Sequence, residues 1–503
     1  MRQENLKKKV AKGAIWTLME KLSVQGVGFL VSMVLARLLT PSEHGIIALT
    51  TIFFAVTNVL VDGGFGTALV QKKKADDLDF NSVFYLSIGM SIMAYALLFL
   101  AAPTIAAFYE TPILVPMLRV ASVSFFFNAI NSVQNAELVR KMLFHLSFRI
   151  SLITALVSAI CGVTLAFLGY GVWALIWAML ISGFAGCLAR CLIIAWRPRL
   201  MFSFARLKPL FAYGWKMSAS ALLDQVFVNL NGILIGKFYT KADLAYVDKG
   251  NMLPKTVMSQ VDDTLGRVSF PALVQLQDDK IALREAMRAM MRCSTFLVFP
   301  LMTGLACCSN SLIVLLFGDQ WTAAIPYMML ACFSFALWPF HTINLRGIMA
   351  IGRSDVFLKL EIIKKASKLL FILAFFRFGV LPFMAACAFA LGPLSVVINA
   401  WPNRKLLDYT LRMQILDVFP TSLVCLAEAA VVLGCGYVLD CLGWNRMASN
   451  WSLILSLMIQ FVIGGVVFFS LSYVFRLKPL LMLLQMAAPL VAKFKRRTDD
   501  DDD

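Results

Sequence analysis

The sequence predicts an all-α polytopic membrane protein of about fourteen transmembrane helices, with two six-helix bundles in parallel repeat and two appended helices. Three observations carry that prediction. Hydrophobic residues make up 60% of the 503 residues and charged residues 15%, against about 45–50% and 25% in soluble domains. Apolar stretches of bilayer-spanning length, roughly 20 residues, recur along the chain. The polar gaps between them alternate between basic and nearly bare. The basic gaps run from Lys7-Lys8-Lys9 through Lys72-Lys73-Lys74, Arg140-Lys141, Arg197 to Lys208 and Lys280 to Arg292. They continue at Arg353 to Lys368, Arg404-Lys405 and Lys493 to Arg497. The intervening gaps hold only Arg37, Lys237, Lys241, Arg377 and Arg446. Cytoplasmic loops retain an excess of Lys and Arg, so this alternation places both termini in the cytoplasm.

The elements follow in order. The first span is read at 12–37; its apolar run is too long for a signal peptide and lacks a small-residue cleavage site. Spans at 45–69, 82–108, 113–134, 149–168 and 172–195 complete an N-terminal bundle over residues 1–209. Spans at 211–237, 243–267, 289–311, 323–349, 356–377 and 382–401 form a second bundle over 210–405. Spans 13 and 14, at 417–439 and 451–475, lie within 406–478. Asp248, Lys249, Lys255, Asp262 and Asp263 punctuate the eighth span, and Pro254 is expected to kink it. Residues 479–503 read as a cytoplasmic interfacial segment, too short to cross and held by Lys493 to Arg497, ending in the acidic tail Asp499 to Asp503.

A shift of 200 residues pairs Gln25 with Gln225, Arg37 with Lys237, Thr40 with Thr240 and Glu43 with Asp243. Spans six and twelve both end in a Trp-Pro-Arg cluster, at Trp196 to Arg199 and at Trp401 to Arg404. These matches support two copies in one orientation, an architecture common in transporters.

The net charge of +17 could serve nucleic acid, but its cations are spread over eight short membrane-edge segments. Lipid headgroups are the better partner, and no nucleic-acid partner is expected. The short gaps leave no room for a folded extramembrane domain. The eleven cysteines show no metal or redox spacing. His44, His145 and His341 are far apart, and no P-loop or Gly-rich nucleotide motif is present. Asp76-Asp77-Leu78-Asp79 and Asp278-Asp279 are reminiscent of metal-binding acidic pairs but sit beside lysine in short loops, where solvation explains them. Catalytic and metal-ligating residues are therefore expected to be none, and the protein is not read as an enzyme.

Charges within spans cost about 2.5–3.5 kcal/mol each on insertion scales and usually face a cavity or a partner. Lys21, Gln25, Gly28 and Ser32 share one face of span one. Lys21, Arg119, Lys216, Lys249 and Lys255 are the cations belonging to neither set of loops. They are the candidates for a cavity that holds an anionic group, with Lys216 read as snorkelling to the interface. Asp224, Asp248, Asp62, Glu20 and Glu428 are candidates for charge pairing or for a coupling cation, H+ or Na+. Glu428 has no cation in its own helix, so it is either protonated or a proton site. Ser124, Asn128, Asn131 and Asn135 form a stripe read as joining helices by hydrogen bonds.

Three stretches resemble the polysaccharide-exporter branch, Wzx-type and colanic-acid-exporter-like, of the multidrug/oligosaccharidyl-lipid/polysaccharide flippase superfamily. They are Ala36-Arg37-Leu38-Leu39-Thr40-Pro41-Ser42-Glu43-His44-Gly45, Asp62-Gly63-Gly64-Phe65-Gly66-Thr67-Ala68-Leu69-Val70-Gln71 and Val268-Ser269-Phe270-Pro271-Ala272-Leu273. Read from residues alone, these are architecture: a turn in which Ser42 can cap the next helix, glycines at a close approach, and a helix stopped at Pro271. The resemblance implies a flippase in the bacterial inner (cytoplasmic) membrane that moves undecaprenyl-pyrophosphate-linked oligosaccharide, a surface-polysaccharide or O-antigen repeat unit, by alternating access. For that diphosphate, position and charge within the spans point to Lys21, Lys249 and Lys255, with Arg119 a weaker candidate. The resemblance also implies a monomeric functional unit working with a polysaccharide polymerase and other assembly proteins. The alternatives are a drug/cation antiporter of the same superfamily and a membrane polysaccharide polymerase or ligase. Twelve-helix architecture and acidic sites would favour the first, a large periplasmic loop the second.

Overall fold

The computed structural model describes residues 2–63, 65–72, 75–194, 196–444 and 450–482. Within them it leaves undescribed the side chains of residues 2–12, 14, 67, 71, 209–210, 212–213, 216–217, 267–268 and 450. The expected interfacial run Lys493 to Arg497 and the acidic tail lie outside the described residues. No strand occurs among the described residues, and residues 1–245 and 246–503 form two compact units.

The first unit contains α1 (Arg2–Leu38), α2 (Pro41–Asp62), the short α3 (Phe65–Gln71) and α4 (Asp77–Phe108). It continues with α5 (Leu114–Ala121), α6 (Ser124–Arg140), α7 (Phe144–Phe167), α8 (Trp173–Ile193) and α9 (Phe204–Phe238). Helix α1 packs on α7, α7 on α8, and α6 against α2, α4 and α8, while α9 lies along α2 and α4. Helix α10 (Lys241–Gln275) begins in the first unit and continues in the second. There follow α11 (Lys280–Cys307), α12 (Ser309–Phe317), α13 (Ile325–Ala336), α14 (Trp338–Ala350) and α15 (Ser354–Phe375). The chain closes with α16 (Val380–Ala386), α17 (Gly392–Leu406), α18 (Leu411–Cys441) and α19 (Asn450–Val474).

Twelve segments among the described residues are helical and long and apolar enough to cross a membrane. They coincide with the expected spans one to seven, nine, ten and twelve to fourteen. The eighth and eleventh are helices too, α10 with 35 residues and α15 with 22, but their charges keep them off that set. Leu100, Leu192 and Leu373 are 75%, 75% and 77% exposed. Together with twelve helices of bilayer-spanning length and hydropathy, such bare leucines fit a hydrocarbon surround, and the protein is a membrane protein.

Local chemistry explains the helix starts. Thr40, rather than Ser42, caps α2: its hydroxyl accepts from the Glu43 amide at 3.3 Å, and the Glu43 carboxylate accepts from the Thr40 amide at 2.8 Å. Pro41 takes the first helical position, which leaves the β-region residue before it, Thr40, as the cap. Two hundred residues on, Thr240 and Asp243 make the same reciprocal pair at 3.1 Å each way. The internal repeat thus extends from residue identity to hydrogen bonding. Helix α10 does not stop at Pro271 but runs on to Gln275. A proline removes one helical hydrogen bond, and buried Leu273, packed with Leu283, Met287 and Phe340, holds the following turn.

In the second unit α18 is tied down by polar side chains. Asp417 takes a two-point contact from Arg288, at 2.9 Å on each oxygen, and is also bound by Arg292 and, at 3.1 Å, by the Tyr409 hydroxyl. Asn344, Asn403 and Gln414, all fully buried, join α14, α17 and α18 through amide–amide bonds of 2.6–2.9 Å.

Candidate functional site

The first unit carries an open cavity, lined in part by polar and in part by apolar side chains, with two adjoining lobes of about 810 and 780 Å³ that share Glu20, Asn128, Asn131, Asn135, Ser147 and Arg190. Each wall is one helical face. Helix α1 supplies Glu20, Lys21 and Gln25, and α2 supplies Asn58 and Asp62 one turn apart. Helix α6 brings Ser124, Asn128, Asn131 and Asn135, and α7 brings Ser147, Ser151, Thr154 and Ser158, both at steps of 4, 3 and 4. Helix α8 adds Ser182 and Arg190.

The polar groups are partly satisfied among themselves. Ser147 and Ser151 donate to one Glu20 oxygen at 3.1 and 2.6 Å, which fixes that carboxylate against α7. Asn128 donates to Asn58 at 2.9 Å, and Asn58 donates to Asp62 at 3.2 Å. The stripe on α6 therefore joins helices at Asn128, as its spacing predicts, and lines a cavity with the rest. Arg190 donates weakly to the Gly186 carbonyl at 3.4 Å, while its Nε and the Asn131 Oδ1 are buried without a protein partner. An amide- and hydroxyl-lined chamber carrying Lys21 and Arg190 suits a ligand rich in hydroxyl groups with an anionic group attached. Guanidinium and ammonium can bind phosphate oxygens, and Asn side chains can both donate and accept.

Of the sequence candidates, the cavity gathers Lys21, Glu20 and Asp62. Arg119, on α5, stacks over the Phe99 ring at 4.1 Å. Lys249, on α10, is 6% exposed and lies over the rings of Phe317 and Trp321 at 5.3 and 5.7 Å. Lys255 and Asp248 are exposed along α10, and Asp224 is exposed on α9. Glu428 is buried in a separate cavity of the second unit. The Lys216 side chain lies outside the described residues. Arg190, Asn58 and the hydroxyl face of α7 are new. The α7 face was legible, since its 4-3-4 spacing matches that of α6; Arg190 was not, because a cation near a basic loop looks like part of that loop.

The acidic loop pairs serve structure. Asp76 caps α4, and buried Asp79 pairs with Lys72 at 2.6 Å. Asp279 caps α11. Among the described residues no group of three or more His, Cys, Asp or Glu is placed to hold a metal ion.

Residues 34–326 match a family described as polysaccharide biosynthesis protein. The chain is 23% identical over 366 residues to the lipopolysaccharide biosynthesis protein WzxC of Escherichia coli K12, covering 72% of this chain and 74% of that one. It is 25% identical over 327 residues to the succinoglycan biosynthesis transport protein ExoT of Rhizobium meliloti, covering 65% and 66%. In three dimensions it resembles the lipid II flippase MurJ in an inward closed conformation, with a TM-score of 0.70 at 16% identity over 92% of this chain and 98% of that one. That likeness speaks to the fold.

Proposed function

The chain belongs to the polysaccharide biosynthesis protein family, and from that membership and the polar cavity we propose that it is a flippase for lipid-linked oligosaccharide. Its substrate is an undecaprenyl-pyrophosphate-linked repeat unit of a surface polysaccharide, carried from the cytoplasmic to the periplasmic leaflet of a bacterial inner membrane by alternating access. It is a transporter rather than an enzyme, and assembly proteins such as a polymerase would act on what it delivers. The alternating loop charge supports cytoplasmic termini. The two six-helix repeats, 1–209 and 210–405, and helices 13–14 at 406–478 are the proposed working parts.

The observation that carries this reading is the cavity itself. A sugar head entering a bilayer needs hydrogen-bonding partners throughout, because unsatisfied polar groups in hydrocarbon are costly. Helices α6 and α7 of the first unit present serine, threonine and asparagine faces to one space, α2 and α8 add Asn58 and Ser182, and that space also holds Lys21 and Arg190. Asn128, Asn131 and Asn135 are placed to read hydroxyls, with Lys21 and Arg190 to meet a phosphoryl group. Lys249, Lys255, Arg119 and Lys216 stay as proposed contacts elsewhere on the path, and Asp224, Asp248, Asp62 and Glu20 as proposed charge partners.

The test is surface polysaccharide in cells whose only copy is the variant. Arg190→Ala and Lys21→Ala are each expected to lower it about tenfold or more, the effect of losing one charge-assisted contact, with membrane levels of the protein unchanged. Wild-type polysaccharide from both variants would show that this cavity does not handle the substrate.

A further inference from the structure

A second cavity, of about 270 Å³, lies within the second unit among α11, α18 and α19. Phe296, Phe461, Phe468 and Phe469 dominate its wall, yet Glu428 stands in it. Glu428 is 5% exposed, and its Oε2 has no hydrogen-bond partner. Among the described residues no Lys, Arg, His or second acid lines the space. The titratable groups near the carboxyl are thiols: Cys307 and Cys308 at the end of α11, and Cys425 on α18. Helix α19 offers only the Gln460 amide, which is already engaged, accepting from Cys308 at 3.1 Å and donating to Ser456 at 3.1 Å.

From this arrangement we infer that Glu428 is a proton-binding site, loaded and unloaded as the packing of α11, α18 and α19 opens and closes. A carboxylate here would be a bare charge in hydrocarbon with no cation to answer it, and a proton removes that charge at once. A sodium ion would not serve, because hard cations need several oxygen ligands and the wall supplies one carboxyl, already met by the Cys425 thiol, beside one occupied amide. The surrounding glycines leave room for the acid to turn: a Cβ at Gly464 or Gly304 would stand 3.6 or 3.8 Å from Glu428 Oε1. As the coupling ion of transport, the proton rests on the flippase reading; as a bound ion, it does not.

The full-length protein in lipid nanodiscs is treated with dicyclohexylcarbodiimide, an apolar reagent that adds the O–H of a protonated carboxyl across its C=N bond with no atom lost. Peptide mass spectrometry is expected to find Glu428 modified near neutral pH at least about tenfold more than the exposed Glu110 and Asp355, whose ordinary acid range is near 4. Modification should fall as the pH is raised, and exchanging choline for sodium should leave it unchanged. An unmodified Glu428, a pH-independent yield, or protection by sodium each overturns the proton site. In cells, Glu428→Gln, which keeps the shape and loses the titration, is expected to lower surface polysaccharide several-fold at normal membrane levels, with Glu428→Asp restoring part of it. Full polysaccharide from Glu428→Gln, alongside modification of the wild type, overturns the coupling role alone. Failure of the flippase reading would appear instead as normal polysaccharide from the Lys21 and Arg190 variants.

Discussion

At Gly45 a single missing methyl group permits a close helix contact. A Cβ there would stand 1.9 Å from the Lys241 carbonyl oxygen, a distance that no rotamer adjustment relieves because the obstacle is backbone. Gly45→Ala is therefore expected to cost about 1–3 kcal/mol, as overpacking does, and to lower the thermal unfolding midpoint in detergent. Asp417 is the opposite case, a residue whose value lies in its partners. Removing it takes the acidic partner from Arg292, leaves Arg288 with Glu285 alone, and strips a buried tyrosine hydroxyl of its acceptor. Asp417→Ala should destabilise the protein by about 3–5 kcal/mol, the cost of breaking a buried ion pair, read in the same unfolding assay. A midpoint within a degree of wild type would refute the tie. Neither residue stood out in the sequence: Gly45 was one residue of a family-like stretch, and Asp417 began an expected span with partners about 125 residues away.

Among the elements, helices are legible and their company is not. Among the described residues the fourteen expected stretches are mainly helical, twelve of them as long apolar runs and the eighth and eleventh despite their charges. The face of α7 that enters the polar cavity follows from periodicity, but its meeting with α1, α6 and α8 follows from packing. Helix α4 shows an element controlled from its cap. The Asp79 backbone amide, hydrogen-bonded to the exposed Asp76 carboxylate, holds that acid below its ordinary range, with Arg206 and Lys72 adding to the effect. A depressed folded-state value means that the stabilisation is complete above the ordinary carboxylate value of about 4 and is lost as the pH falls through the folded one. Hydrogen exchange of the first α4 amides should therefore be flat from neutral pH down to about 5, after correction for intrinsic rates, and accelerate below it. In Asp76→Asn that acid-specific step should vanish.

For the whole molecule, loop charge predicts a topology that labelling can check. In a background without native cysteines, a cysteine at the exposed Glu110 is expected to react with an impermeant maleimide added outside spheroplasts. One at Lys141 should react only after the membrane is opened; the reverse pattern would invert the orientation. What the sequence determined by itself was the solvent and the class: long apolar helices, alternating basic loops and a repeat that reappears as paired caps at Thr40 and Thr240. These properties are local or additive along the chain, so one strand of residues carries them. The site was decided only by the tertiary structure. Lys21 and Arg190 are 169 positions apart in sequence and share a cavity, while Lys249 and Arg119, equally conspicuous as charges in spans, lie outside it over aromatic rings. Whether a buried cation meets a chamber or a ring depends on which helices pack around it, and no single helix encodes its neighbours.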